Sequence, residues 1–221
     1  MLFCNDADLL YWEPEVARDA AFASQTLATG TGDVAGTAFT RTAGASFLAQ
    51  AVQPAQVLVL SGTATGCYVI TAVPDASHLT VSVLHDDLFP GGTTPAPDPV
   101  GRAADATGAT YAVRTFFAQR KVVSDLLTQA VGIVPGTAAA QSSVILNPEA
   151  LRRACALGTL QMIYSAVAAA ASDPAAFSLR ADLYERLYRR ALQRAQVDLD
   201  LNGDGRPDCR RSPGLVRMVR E

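Results

Sequence analysis

The residues whose types and spacing best suit chemistry are Asp200, Asn202, Asp204 and Asp208, within the run from Asp198 to Asp208. Oxygen-bearing side chains at alternate positions can turn inward together. Gly205 permits a sharp turn after them, and Asp208 falls where a ninth-position ligand sits in a calcium loop. A full EF-hand also needs a bidentate Glu at the twelfth position, and that position is Arg211.

Two readings of this loop stand side by side. In one it holds Ca2+, the one cofactor the sequence offers. In the other it is a metal-free turn whose Asx side chains bond nearby backbone N–H groups. The spacing resembles the shorter calcium loops of dockerin and FG-GAP repeats. Such loops come several to a chain, and here there is a single copy.

Other reactive groups are sparse. A nucleophile needs an activating base, and general acid–base work needs two titratable groups in one pocket. The sequence has two histidines, His78 and His85. His85 with Asp86 is the one acid–imidazole neighbourhood, and adjacent residues on a strand point apart. No GxSxG, HExxH or P-loop pattern occurs. No catalytic residue is assigned, and an enzyme is not expected. The four cysteines, Cys4, Cys67, Cys155 and Cys209, are far apart and read as free thiols.

The elements that must position the Asp-rich loop lie on either side of it. Asn147-Pro148-Glu149 reads as a helix start, with Asn as the cap. Leu151, Ala154, Leu157, Leu160, Ile163, Tyr164 and Val167 come after it at helical spacing. The small residues Ala154, Ala156, Gly158 and Ala168 to Ala171 leave room for a second helix. Asp173-Pro174 starts the next one, with Phe177, Leu183, Tyr184, Leu187, Tyr188, Ala191 and Ala195 on its apolar stripe. Its polar side carries the i,i+4 pairs Asp182–Arg186 and Glu185–Arg189, and Arg190 and Arg194 extend it. That side is either solvated or faces an acidic partner. After the loop come Arg210, Arg211, Leu215, Arg217, Val219 and Arg220, a tail that either frays or lies in a groove on another chain.

The 221 residues allow one large or two small domains, and an apolar fraction of 49% is ample for a core. A net charge of −3 gives no whole-chain attraction to nucleic acid. Met1 to Asp8 lacks a basic segment followed by an apolar run, so no signal peptide is expected. No apolar run reaches the roughly 18 residues that a membrane span needs, so no membrane partner is expected.

Taken in order, the chain opens with a helix near residues 13–27, with Asp8 as a cap and Trp12 as a core anchor. Thr29-Gly30-Thr31-Gly32-Asp33 reads as a turn cluster. Strands are predicted at 37–42, 56–60, 67–73, 78–84 and 111–117, which is the pattern of a small antiparallel barrel or sandwich. Residues 86–110, rich in Pro and Gly, read as a mobile loop. The next helix is predicted at 119–132. The expected fold is α+β. A helical bundle, made of the N-terminal helix and three C-terminal helices, carries an inserted small antiparallel β lobe and an extended C-terminal tail. The expected parts are the N-terminal helix at 1–30, the β lobe at 31–117, the bundle at 118–197 and the loop with its tail at 198–221.

The whole pattern resembles a tailed-bacteriophage head–tail connector of the adaptor class. Three segments carry the likeness: the opening helix from Asp8-Leu9-Leu10 to Gln25-Thr26-Leu27, the strand meander 56–84, and Ala156 to Tyr164 followed by Leu183 to Tyr188 and the Asp-rich loop. The resemblance implies a structural virion protein of the neck, assembled in the host cytoplasm. About a dozen copies would form a ring beneath the portal through heterologous contacts. The ring would extend the DNA channel without sequence-specific binding and would present a face to the next neck or tail protein. The tail, through Arg210, Arg211, Leu215, Arg217, Val219 and Arg220, would bind the portal protein. The rival from another class is a calcium-dependent surface or adhesion module centred on the Asp-rich loop.

Overall fold

The computed structural model describes residues 1–82, 104–134 and 144–214. The predicted His85–Asp86 neighbourhood, residues 86–103 of the predicted loop, and Leu215, Arg217, Val219 and Arg220 lie outside the described residues. The chain divides into two compact units, residues 5–116 and residues 1–4 with 117–221.

The first unit opens on α1 (Asp6–Trp12), capped by Asn5 rather than Asp8. Asn5 Oδ1 accepts the Asp8 N–H at 2.9 Å, and an Asp8 carboxylate oxygen accepts the Asn5 N–H at 2.8 Å. Two orphan donors are thereby satisfied reciprocally. The expected single helix over 13–27 does not form. Proline disfavours helical backbone in the residue before it, and Glu13, ahead of Pro14, is extended. The chain instead makes one short turn of helix, α2 (Val16–Asp19), and is strand from Thr26 onward.

That strand overturns the expected fold class. β1 (Thr26–Ala35), β2 (Ala38–Gly44), β3 (Val57–Ser61), β4 (Gly66–Ala72), β5 (His78–Ser82) and β6 (Ala106–Arg114) close into a barrel in the order β1-β2-β5-β4-β3-β6. β6 pairs back onto β1, and every neighbouring pair is antiparallel. The β region is therefore not a small lobe on a helical bundle, and the N-terminal helix belongs with the barrel in one compact unit. Residues 106–110, expected in the loop, are the first half of β6.

The predicted turn cluster lies inside β1. A Cβ on Gly30 would sit 2.0 Å from the Ala43 carbonyl oxygen, and one on Gly32 would sit 2.4 Å from the Phe39 ring. These glycines allow β1 and β2 to approach, at a register shift between Thr31 and Gly32. Inside the barrel, Phe39 and Phe47 meet Tyr111 edge-on, with ring centroids 5.1 and 5.6 Å away. Leu58, Leu60, Ile70, Leu79, Val81 and Val113 fill the remainder.

The second unit holds α3 (Phe117–Ala130), α4 (Glu149–Ala170) and α5 (Ala175–Arg194). A hairpin of β7 (Val197–Leu199) and β8 (Cys209–Arg211) comes after α5. Leu151, Leu157, Leu160, Ile163 and Tyr164 of α4 are fully buried. Each such side chain contributes about 1.5–3 kcal/mol. An exposed i,i+4 pair such as Glu185–Arg189, at 2.5 Å, contributes only about 0.3–0.5 kcal/mol, so apolar burial holds this unit together. Gly158 leaves room for its neighbours, because a Cβ there would lie 3.0 Å from both Val123 of α3 and Tyr188 of α5. The small-residue face is buried at Ala154, Ala156 and Gly158, but Ala169 and Ala170 are exposed. Tyr164 stacks on Tyr184 at 5.8 Å, and the Arg180 guanidinium lies 5.4 Å from the centre of its ring.

Candidate functional site

The Asp-rich loop is the tip of the β7–β8 hairpin, and its carboxylates are turned onto its own backbone. The Asp200 carboxylate accepts the N–H groups of Gly203, Gly205 and Asp204 at 2.6, 2.7 and 3.2 Å. Asp208 accepts those of Leu201 and Asn202 at 2.7 and 3.0 Å. Asp204 accepts from Arg206 N–H at 2.8 Å, and Asn202 Oδ1 accepts from Asp204 N–H at 2.9 Å. Burial pushes the Asp200 carboxyl up, but the N–H groups of Gly205, Gly203, Asp204 and Asn202 together outweigh it and hold it below its ordinary value. Among the described residues, no group of three or more His, Cys, Asp or Glu is arranged to hold a metal ion. As they stand, Asp200, Asn202, Asp204 and Asp208 brace a turn.

The base of the hairpin is fastened by residues expected elsewhere. Asn147 does not cap α4. Its Oδ1 accepts the Asp198 N–H at 2.8 Å, and its amide donates to the Gln196 carbonyl at 3.1 Å. Arg210 pairs with Asp198 at 2.6 Å, and Arg211 donates to the Val131 carbonyl at 2.8 Å, beside the C-terminal end of α3. The Arg210 bond holds the Asp198 carboxyl below its ordinary value. Arg211 passes so close to Gly132 that a Cβ there would lie 2.0 Å from its guanidinium. Both arginines therefore tie the start of the tail to this unit.

An acid–imidazole pair that sequence reasoning missed lies on the β4–β5 turn. Asp75 reaches His78 Nδ1 at 2.8 Å, and Ser77 Oγ lies 3.1 Å from the same nitrogen. A Ser-His-Asp relay needs the acid on one ring nitrogen and the hydroxyl on the other. Here both crowd Nδ1, so no proton path runs from Ser77 through the ring to Asp75. Asp75 Oδ1 also accepts the N–H groups of Ser77 and His78 at 2.7 and 3.0 Å, which makes this an Asx-type turn brace. The signal available in the sequence was the Asp-x-Ser-His spacing after Pro74.

What remains is a surface. On α5, Leu179, Leu183, Arg186, Arg190 and Arg194 recur at steps of four, three, four and four residues, which aligns them in one stripe. Leu179 and Leu183 are exposed to 70% and 44%, and Arg190 and Arg194 beyond them lie at the basic end. There Arg153 of α4 joins Arg190 and Arg194 around a cleft of about 210 Å³, walled by small side chains including Ala154 and Ala191. Arg190 and Arg194 form no ion pair or hydrogen bond among the described residues. On α3, Val122 and Leu126 form a second exposed apolar pair at 46% and 49%. Guanidinium groups around a shallow slot, continuous with exposed leucines, suit an acidic protein surface.

No family model, no curated protein and no solved structure matches the chain. Among the described residues no helix is long and apolar enough to cross a membrane.

Proposed function

We propose that the chain is a structural protein of a tailed-phage neck, an adaptor whose copies form a ring beneath the portal, extend the DNA channel and join head to tail. The observation that supports this most is the pair of exposed apolar rows, Val122 with Leu126 and Leu179 with Leu183, on helices whose opposite sides are buried. Large apolar side chains in rows on the outside of a folded unit mark contact with other chains. The chain has no catalytic role in this reading. The portal-binding segment starts after the arginines that anchor it, Arg210 and Arg211, and uses Leu215, Arg217, Val219 and Arg220.

Electron microscopy of the purified chain, alone and mixed with a candidate portal from the same genome, tests this. Closed rings, or decoration of the portal's narrow end, are expected. A persistent monomer that leaves the portal bare overturns the reading. If that monomer also gains thermal stability with calcium, the adhesion-module alternative takes its place.

A further inference from the structure

Charge is divided unequally along the chain. Residues 5–116, the barrel unit, contain eleven Asp and Glu against four Arg, a net −7. Residues 1–4 with 117–221 contain ten Asp and Glu against fourteen Arg and Lys, a net +4. An acidic barrel and a basic helical unit are complementary between copies of the same chain.

The complementary groups are exposed arginines on one unit and anchored carboxylates on the other. On the helical unit they are Arg190 and Arg194, at the cleft and without ion-pair partners among the described residues. On the barrel they are Asp33 and Asp105. Asp33 Oδ1 accepts the Gly108 N–H at 2.8 Å, and Asp105 Oδ1 accepts the Gly36 N–H at 2.7 Å. Each carboxylate is thus fixed through one oxygen, and its other oxygen makes no hydrogen bond among the described residues. The two lie at the same end of the barrel, because Val34 pairs with Ala106 across β1 and β6.

We propose that the Arg190–Arg194 cleft of one copy receives the Asp33–Asp105 end of the barrel of a second copy, with Leu179 and Leu183 continuing the contact. The contact is heterologous: each copy offers an arginine face to one neighbour and a carboxylate face to another, so it propagates around a ring or along a filament. This deepens the adaptor reading and rests on it. Nucleic acid is the competing occupant of an arginine face. It is disfavoured by the net −3 of the chain and by the two leucines in the same stripe, which match a protein surface better than a phosphate backbone.

Two full-length variants test the proposal. Arg190→Glu/Arg194→Glu removes one face, and Asp33→Asn/Asp105→Asn removes the other while keeping an oxygen for the backbone N–H groups. In sedimentation at low salt the wild type is expected to assemble, and to dissociate at about 1 M sodium chloride, where charges are screened beyond about 3 Å. Each variant alone should self-associate about a hundredfold more weakly. An equimolar mixture should form a dimer and nothing larger, because one intact face of each kind remains. Unchanged melting curves, with Arg190→Gln/Arg194→Gln as the milder substitution, separate lost contact from lost folding. A variant that assembles like the wild type, a mixture that stays monomeric, or a wild type that retains a DNA duplex through these arginines overturns the proposal. Rings that persist in the arginine variant, or a wild-type monomer that still decorates the portal, overturn this contact and leave the adaptor reading standing.

Discussion

Asp6 and Phe116 are 110 positions apart in the sequence, and the buried carboxylate of one accepts the backbone N–H of the other at 2.9 Å. Its second oxygen accepts the Thr115 hydroxyl at 2.7 Å. α1 is thereby fastened to the end of β6. Asp6→Ala leaves a buried N–H without a partner and is expected to cost about 2–3 kcal/mol, since hydrogen bonds to a charged group exceed neutral ones. Urea unfolding measures it. A loss below about 0.5 kcal/mol would show that water replaces the carboxylate.

Gly30 tests the closure of the barrel. A methyl group there meets backbone on the neighbouring strand, at the Ala43 carbonyl, and backbone has little freedom to give way. Gly30→Ala is expected to destabilise the barrel by about 1–3 kcal/mol, as overpacking does. In hydrogen exchange, the amides of β1 and β2 should lose protection first. Equal loss across α4 would contradict the division into two units.

Asp75 sets an acid limit. The Ser77 N–H and the His78 ring lower its carboxyl from 3.8 to about 2. A carboxyl depressed in the folded state contributes stability that is present above the unfolded value and lost as pH falls through the folded one. The contribution should therefore disappear between about pH 4 and about pH 2. Asp75→Ala should flatten that limb of the stability-against-pH curve.

Cys67 behaves in the opposite sense. Burial, with the Glu15 carboxylate adding to it, pushes its thiol from 9.0 up to about 11, against the pull of Arg18 and Arg114. At pH 8 the thiolate is scarcer by roughly a hundredfold than in an ordinary cysteine, so alkylation should slow by that factor relative to the urea-unfolded chain. The raised value favours the folded state below pH 9, and the benefit is lost as pH rises through about 11. Labelling at equal rates in the folded and unfolded chain would contradict the burial.

How far the sequence could be read depends on which interactions were local. Val57 to Leu60 and Cys67 to Val73 alternate or run apolar between turns, and those strands stand where periodicity puts them. The helices after Pro148 and Pro174 are where their start signals place them. β1 was not legible, because Thr-Gly-Thr-Gly has the composition of a turn, and only the nearness of Ala43 and Phe39 explains those glycines. A barrel was one of the two β architectures that the strand spacing allowed, but its closing pair was not legible, because it joins Thr26 to Arg114. The same holds for Asn147, which carries a cap signal but bonds the backbone of β7. The arginine side of α5 was visible as a periodic stripe. Its cleft was not, because Arg153 comes from another helix.

Because β6 returns to β1, the barrel sheet has no first or last strand. Among the described strands of the barrel none is an edge strand that a foreign strand could extend. The barrel can be crowded against its own kind at high local concentration without ordered growth through the backbone. Its association is left to side chains, so charge and shape, and not the backbone, decide which partner it takes.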